Sequence, residues 1–358
     1  MRTSLFGTIA CFALNFLPLI AFSQVAPFPP VPDSLGRQSL FDALFPTQDD
    51  ILEINLTTDL GMLMKKRTVE AYQPAHIQFQ IPGGVMVDHN LEIKARGITR
   101  KEICSHPPIK VKFKKKTLDT LGFSKFNEMK VVWQCKPGKA YEQWLYREYL
   151  VYRLYNLISP YSYRVKLVKM QVIDARDTSK QHLKYGFFLE DDDQLSQRMK
   201  GELTEEPIKN VSRFLREHLL RFFVFQYMVG NTDWSFGNLH NVRFMNFPEL
   251  RKAMPIPYDF DYAGVVSAPY AVPHESLPIK DVRERHYQGV ECTASELVLL
   301  NKFFSERKPE IMEYCEKFPH LDALAKKDVV GYLNSFFEIL DRKNGLGQFI
   351  GELKPSSN

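Results

Sequence analysis

The sequence predicts an α+β fold in two lobes, with strands concentrated in the N-terminal half and helices in the C-terminal half. Short β-type runs dominate up to Glu190, whereas the apolar residues that follow recur mainly at helical spacing. Strands followed by helices, without regular alternation, are typical of an α+β protein. The chain has 358 residues, enough to bury a large core in one bilobed unit or in two domains.

The first half contains five short segments whose β-branched and aromatic residues predict strands. They cover residues 51–56, 76–81, 91–95, 109–113 and 129–133. In residues 109–113 apolar side chains alternate with lysines. We therefore expect one face of this strand to be buried and the other to carry ammonium groups.

Helical spacing first appears at residues 141–158, just before Ser159-Pro160. The later segments are a strand pair, a strongly apolar helix and two C-terminal helices: residues 165–173 and 183–189, 211–229, 295–304 and 328–340. The change from strands to helices places the boundary between the two lobes near residues 190–194.

The first 23 residues have the three parts of a secretory signal peptide. Arg2 is followed by an apolar run over residues 5–20 and by Ala21-Phe22-Ser23, which predicts cleavage after Ser23. An uncleaved membrane anchor is the alternative, but the run is short for a bilayer span and Pro18 interrupts it. We therefore expect a secreted or periplasmic protein with no membrane span after cleavage.

The expected organisation has five parts, which are the signal peptide (1–23), a proline-rich lead-in (24–48), a strand-rich lobe with one helix (49–190), a helical lobe (191–350) and a polar tail (351–358). The net charge of the chain is only +5, and the basic residues are interspersed with acidic ones. This mild and mixed charge argues against nucleic acid as a partner.

Four cysteines would remain after cleavage, and an even number in an oxidising compartment favours disulfides. We predict the pairs Cys104–Cys135 and Cys292–Cys315, because each pair lies within one lobe. Metal binding is the alternative, but none of these cysteines belongs to a Cys-x-x-Cys motif.

Two acidic, loop-like segments carry the residues that could perform chemistry. The first follows the apolar helix and contains Asp233 and Asn238, and the second follows a short strand and contains Asp259 and Asp261. In phosphoryl transfer one carboxylate accepts the proton of the attacking hydroxyl, while an amide oxygen and a second carboxylate hold Mg²⁺. The order and spacing of the residues fit that requirement. Either segment alone would be better explained as a turn or a strand end with solvated carboxylates.

These residues resemble the spore coat protein H (CotH) kinase family, a divergent branch of the protein-kinase-like superfamily. The resemblance covers residues 91–264 and is most specific in Asn231-Thr232-Asp233 with Asn238 and in Ile256-Pro257-Tyr258-Asp259-Phe260-Asp261. Weaker matches are Arg96-Gly97, Pro107-Pro108-Ile109-Lys110-Val111-Lys112-Phe113, Leu145-Tyr146-Arg147-Glu148-Tyr149-Leu150 and Tyr185-Gly186-Phe187-Phe188-Leu189-Glu190. The resemblance implies a bilobed protein-kinase-like fold, with a strand-rich N-lobe and a mainly helical C-lobe.

The resemblance also implies a role for each matched residue, with ATP and Mg²⁺ as cofactors. Asp233 would be the catalytic base, and Asn238 and Asp259 would bind Mg²⁺ with support from Asp261. The remaining residues would serve the nucleotide, with Arg96 and Lys110 or Lys112 at the phosphates, Glu148 paired with one of these lysines, and Glu190 near the adenine. The acceptor would be a hydroxyl group on a protein or a small molecule. From the residues alone, the strand lysines and the helical glutamate could equally be solvated surface groups.

Some features depart from the family pattern, and two alternatives stay open. No Gly-x-Gly-x-x-Gly loop precedes the basic strand, so phosphate binding by backbone amides in the usual kinase manner is in doubt. One alternative is a secreted binding or scaffold protein without activity, and the other is a nucleotidyltransferase that uses the same metal site. A serine hydrolase or a zinc enzyme is disfavoured, because the Gly-x-Ser-x-Gly and His-Glu-x-x-His motifs are absent from the sequence.

Overall fold

The computed structural model describes residues 32–45, 49–69 and 71–351. The predicted signal peptide and the tail from residue 352 onwards lie outside the described residues, so export of the protein stays a prediction. Across the described residues, no helix is both long enough and apolar enough to cross a membrane.

Seven strands of the first half form a closed barrel. They are β1 (Leu52–Thr58), β2 (Gln73–Gln80), β3 (Met86–Ala95), β4 (Ile109–Lys112), β5 (Glu128–Trp133), β6 (Val165–Asp174) and β7 (Asp177–Leu189). Their order around the barrel is β1-β2-β3-β4-β5-β7-β6, and all neighbours are antiparallel except β1 and β6. The five predicted strand segments of the first half and the later strand pair are therefore confirmed.

The predicted bilobed protein-kinase-like fold is wrong, because the strand-rich half closes on itself. β1 pairs in parallel with β6 over seven residues, from Leu52 opposite Val168 to Thr58 opposite Asp174, and it pairs with β2 on its other side. This double pairing leaves the sheet with no free edge. Alternating apolar residues identify each strand, but they carry no information about which distant strand becomes its neighbour.

Alternate side chains of the strands fill the barrel, as their spacing requires. Ile54, Leu56, Ile77 and Phe79 are among the buried residues of β1 and β2 in this core. Phe41, from the short helix α1 (Leu40–Ala43), packs into the same core. The described end of the predicted lead-in is thus part of the barrel domain.

Four further helices accompany the barrel strands. Three are short, namely α2 (Leu60–Lys65), α3 (Thr99–Ile103) and α4 (Lys115–Thr120), and the fourth is the 20-residue helix α5 (Lys139–Ile158) that connects β5 to β6. α5 confirms the predicted helix at residues 141–158. Its buried side shares one large core with the C-terminal helices, and the ring of Tyr149 lies 5.8 Å from that of Phe318. The two halves of the chain are therefore joined by a continuous core.

The second half consists of helices around a three-stranded sheet with the order β10-β9-β8. Its elements are α6 (Asp192–Met199), β8 (Glu202–Thr204), α7 (Arg216–Val229), β9 (Val242–Phe247), β10 (Lys252–Pro257), α8 (Ala294–Lys317) and α9 (Ala323–Leu340). α7 is shorter than predicted at its start, because Val211–Arg213 forms a separate 3₁₀ turn. α7 ends at Gly230, where φ is 68° and a Cβ atom would lie 2.0 Å from the hydroxyl oxygen of Tyr332.

One of the two predicted disulfides is confirmed and the other is wrong. Cys104 is bonded to Cys135, whereas Cys292 and Cys315 are buried free thiols. Cys292 precedes α8 and Cys315 lies in its last turn. A helix rises about 1.5 Å per residue, which separates the two thiols by roughly 30 Å, far beyond the reach of a disulfide.

We predict that native protein protects exactly these two thiols from alkylation. Burial raises the pKa of Cys292 to about 11 and that of Cys315 to about 12, so both stay as unreactive thiols at neutral pH. Iodoacetamide followed by peptide mass analysis should label Cys292 and Cys315 only after denaturation, with Cys104 and Cys135 recovered as one linked peptide. A Cys292–Cys315 linked peptide would contradict the structure.

Candidate functional site

Asp233 lies in the turn that follows α7, and its carboxylate is held on two sides. Its N–H donates to Asn231 Oδ1 over 3.1 Å, which fixes the turn. Its Oδ1 lies 2.9 Å from His240 Nε2, and its Oδ2 accepts a hydrogen bond of 3.0 Å from Asn241 Nδ2. Burial raises the pKa of Asp233, and the adjacent His240 opposes that rise. The carboxylate is still 33% exposed, so a substrate can reach it.

Asn238, the predicted magnesium ligand, does not contact Asp233. It lies at the exposed tip of a tight turn, in which Ser235 and His240 exchange two backbone hydrogen bonds of 3.0 Å. Its side-chain oxygen accepts a hydrogen bond from the His240 N–H. The amide that meets Asp233 belongs to Asn241 instead. Asn241 directly precedes the apolar strand β9, and this position is the signal in the sequence that could have identified it. Spacing from Asp233 alone does not identify Asn241.

Asn241 also fixes the position of the second acidic segment. β9 and β10 are antiparallel with Val242 opposite Pro257, and the Tyr258 N–H donates to the Asn241 backbone oxygen over 3.1 Å. Asp259 is the next residue in the chain. Asn241 and Asp259 both have a positive φ, of 52° and 60°, a conformation that Asn and Asp adopt more readily than most residues. Backbone strain of this kind clusters at functional sites.

Asp259 offers an open carboxylate on the wall of the site. Its N–H donates to Tyr152 Oη over 2.8 Å, which ties its loop to α5. The residue is half-buried, and among the described residues no hydrogen bond or ion pair reaches its carboxylate. Burial raises the pKa of Tyr152 and Tyr258, and the charge of Asp259 raises both further. The Asp259 backbone is held by the Tyr152 hydroxyl, and Tyr258 is the preceding residue in the chain.

Arg96 directly follows the barrel strand β3. Its positive charge opposes the rise in the pKa of Tyr152 and Tyr258 that burial causes. Its N–H donates to the Pro108 backbone oxygen over 2.8 Å, and its side chain is half-buried. Within the described ranges the structure records no ion pair for this guanidinium group. Arg96 is thus available to an anion, and its role at a phosphate stays a prediction.

Lys110 and Lys112 are both paired with Glu128, on the outer face of the barrel. Lys110 donates to this carboxylate, and Lys112 Nζ lies 3.6 Å from it. Lys112 also lines a cavity of about 550 Å³. Strand register places Lys130 opposite Lys110. Burial lowers the pKa of Lys130, the ion pair with Asp192 opposes that shift, and the positive charges of Arg96 and Arg243 add to it. Lys130 is a residue that the sequence analysis missed.

Arg100 joins Asp261 and Glu148, and a supporting role of Asp261 at a metal stays a prediction. Arg100 Nε donates to Asp261 Oδ2 over 2.9 Å, and its Nη2 donates to Glu148 Oε2 over 2.6 Å. Glu148 therefore does not pair with a strand lysine. Tyr270 Oη donates to Asp261 as well, over 3.1 Å. No pattern in the sequence distinguishes Arg100, because its partners lie 48 and 161 residues away.

Glu190 is not available to a nucleotide. It is completely buried, and its oxygens accept hydrogen bonds from Arg164 and Arg198. Arg164 is itself buried and also donates to Asp42, which connects α1 to the barrel. The predicted adenine-binding residue is therefore part of a structural ion network.

The described residues contain no group of three or more His, Cys, Asp or Glu side chains that could hold a metal ion. Two side chains with oxygen atoms of the type that Mg²⁺ prefers lie on adjoining segments, namely Asp259 and Asn241, whose backbone oxygen accepts a hydrogen bond from the Tyr258 N–H. Mg²⁺ is usually bound by one or two carboxylates together with substrate phosphates and water. The residues present fit that mode of binding, and they do not form a preassembled cage.

No protein-family model matches this chain, and no curated protein matches it. The resemblance to CotH kinases therefore depends on the motifs quoted above. Any function has to be argued from the chemistry of the site itself.

We predict that replacing Glu190 by Gln destabilises the fold. The change leaves the buried Arg164 with too few acceptors for its charge, a situation that costs about 3–5 kcal/mol of unfolding free energy in buried ion pairs. Urea unfolding followed by circular dichroism measures the loss. The control is Glu249→Gln, in the exposed turn Pro248–Leu250, which should be neutral. An unchanged unfolding free energy with weaker ATP binding would instead support a role at the adenine.

Proposed function

We propose that this protein is an exported phosphotransferase that uses ATP and Mg²⁺ to phosphorylate a hydroxyl acceptor. The observation that carries the proposal is the double contact of Asn241. Its side chain bonds the carboxylate of Asp233, and its backbone bonds the segment that presents Asp259. Asn241 thereby links Asp233, the proposed proton acceptor, to the segment of Asp259, the proposed metal ligand.

Asp233 would accept the proton of the acceptor hydroxyl. A general base must be ionised and within reach of its proton donor. The hydrogen bonds from Asn241 and the proximity of His240 favour the ionised form against the effect of burial. These contacts also fix the orientation of the carboxylate. Its Oδ1 faces His240, whose side chain is partly exposed.

Asp259 and Asn241 would hold Mg²⁺ through a carboxylate and an amide oxygen. Bound there, the ion would offset negative charge on the phosphate oxygens. The open carboxylate of Asp259 supports this role. It is half-buried and has no cationic partner among the described residues, so a bound cation would stabilise its ionised form. The Tyr152 hydroxyl keeps the Asp259 backbone in place.

Arg96 and Lys130 would bind the phosphates from the side of the barrel. The guanidinium group of Arg96 can donate two parallel hydrogen bonds to a phosphate, which favours arginine at such positions. Lys130 is bonded to Asp192 over 2.6 Å, and the charge of Arg96 acts to lower its pKa, so a phosphate at Arg96 would also feel the charge of Lys130. This arrangement does not require a glycine-rich loop.

The Cys104–Cys135 disulfide supports the exported location, since structural disulfides persist in oxidising compartments. The acceptor can be a protein or a small molecule, because the exposed side of Asp233 and His240 is open to solvent. Transfer of the nucleotidyl group and simple ligand binding without turnover are the alternatives that an experiment has to separate.

We predict that Asp233→Asn and Asp259→Asn affect different steps. Asp233→Asn should lower the rate about 10²-fold or more, because the base is lost, and should leave MgATP binding intact. Asp259→Asn should abolish Mg²⁺-dependent ATP binding, measured by calorimetry. Label transfer from γ-³²P-ATP to the protein itself, or to casein as a generic hydroxyl acceptor, reports the activity.

Two outcomes of this experiment would overturn the proposal. Transfer of label from α-³²P-ATP instead of γ-³²P-ATP would identify a nucleotidyltransferase. If the wild-type protein is folded, as its unfolding transition shows, and does not bind MgATP, it is a binding or scaffold protein. Glu249→Gln is again the matched control for the loss of one carboxylate away from the site.

We predict a clear difference between the two asparagines of the turn. Asn241→Ala should lower the phosphotransfer rate about 100-fold, because it removes both the donor to Asp233 and a ligand oxygen. Asn238→Ala removes only an exposed contact to the His240 N–H and should cost much less. Initial rates at saturating MgATP compare them. The opposite ranking would restore Asn238 as the metal ligand and refute the geometry proposed here.

A further inference from the structure

The segment between β3 and β4 is attached to the barrel at two separate points. At its base, the hydrogen bond from the Arg96 N–H to the Pro108 oxygen continues the pairing of the two strands. At its tip, Cys104 is bonded to Cys135, which follows β5, and the Ser105 N–H donates to the Cys135 oxygen over 3.0 Å. The base holds Arg96, whereas the tip holds α3.

The sequence of α3 gives this helix little stability of its own. It has five residues, no side-chain cap at its N-terminus, and an isoleucine at the capping position, Ile98, that is 82% exposed. Helices this short are not stable by themselves. Cys104 caps the C-terminus through its N–H, which donates to the Arg100 oxygen over 3.3 Å. The disulfide therefore fixes the residue that directly supports Arg100.

Arg100 connects α3 to two other parts of the molecule. Its guanidinium group bonds Glu148 on α5 and Asp261 in the loop after β10. All three side chains are at least nine-tenths buried, with exposures of 10%, 2% and 8% for Arg100, Glu148 and Asp261. Asp261 is two residues from Asp259. The position of α3 therefore affects the position of Asp259, whose carboxylate is proposed to bind the metal.

The charges of Arg100, Glu148 and Asp261 explain why this connection is important. Glu148 and Asp261 are buried carboxylates that repel each other, and Arg100 is the cation between them. Glu148 Oε1 has no hydrogen-bond partner among the described residues, so the cluster has no surplus of donors. If Arg100 moved away, the two buried carboxylates would lose their common counter-charge. The two segments would then have to move apart, or a carboxylate would have to take up a proton.

We propose that the Cys104–Cys135 disulfide is a positioning device for the phosphotransfer site. It holds α3 so that Arg100 bridges Glu148 and Asp261, and this bridge places the loop that carries Asp259. Arg100 is accordingly a positioning residue, and the disulfide acts through it. The effect on activity rests on the proposed function, whereas the effect on the loop after β10 does not.

The test compares Cys104→Ser/Cys135→Ser with the wild type in phosphotransfer with MgATP. We expect kcat to fall about 10- to 100-fold, the loss typical of a displaced site, because the loop of Asp259 keeps its contact with Tyr152 but loses the one through Arg100. KM for MgATP should change less than about threefold, since Arg96 keeps its separate attachment at the base of the segment. Glu102→Gln, an exposed residue on α3, and Cys292→Ala, a buried free thiol, are the controls.

A double-mutant cycle decides whether the disulfide acts through Arg100. Arg100→Lys keeps the charge but cannot reach both carboxylates with a rigid fork, so it should lower kcat by itself. Adding the two serine substitutions to Arg100→Lys should cost little more, because the same contact is already lost. Additive effects, or an unchanged kcat in the serine variant, would overturn the proposal. If the serine variant does not fold, Arg100→Lys with its disulfide intact still tests the bridge through the same split between kcat and KM.

Hydrogen exchange in protein without nucleotide provides a readout that does not depend on activity. Asp259 and Gly264 donate their N–H groups to Tyr152 and to the Gly230 oxygen. Removal of the disulfide should speed exchange at these two amides at least about tenfold, while amides of β9 stay protected. Unchanged exchange would overturn the positioning role. Faster exchange in a protein that transfers no phosphate would support the positioning role and refute the proposed function.

Discussion

The hydrogen bond from the Asp259 N–H to Tyr152 Oη is the contact on which the arrangement of the site depends. Tyr152 belongs to α5, which packs into the core shared by the barrel and the C-terminal helices. Its ring lies 4.8 Å from that of Phe260, so the residue after Asp259 is buried against the same side chain. α5 therefore sets the distance between the barrel, which carries Arg96, and the loop that carries Asp259. A change in the packing of α5 would move the two sides of the site relative to each other.

Buried arginines perform a related task at two places in the molecule. Arg100 is held between Glu148 and Asp261, and Arg164 between Glu190 and Asp42. In each case one guanidinium group joins segments that are distant in the sequence. Burying such charges costs desolvation energy, and a hydrophobic cluster could provide equal stability. What the arginine adds is geometry, because its planar fork accepts carboxylates only in defined directions.

Much of the local structure could be predicted from residue patterns. The helix at residues 141–158 and the strand at residues 109–113 were recognisable because their apolar residues repeat at the spacing of the element that they form. Asp233 and Asp259 were recognisable because each follows a buried apolar element directly. Spacing from Asp233 points to Asn238, because residue spacing does not show where a turn folds back. The turn from Ser235 to His240 takes Asn238 away from Asp233 and brings Asn241 to it.

The sequence by itself determined much of the secondary structure and the two acidic segments, since each is expressed in residues close together in the chain. Only the tertiary structure decided that β1 closes the barrel against β6, that Cys292 and Cys315 lie at opposite ends of one helix, and that Glu148 meets Arg100. It also decided that Glu190 is buried among arginines. These outcomes depend on contacts between residues tens to more than a hundred positions apart. Local periodicity cannot encode such contacts, because it reports which face of an element is buried and not what buries it.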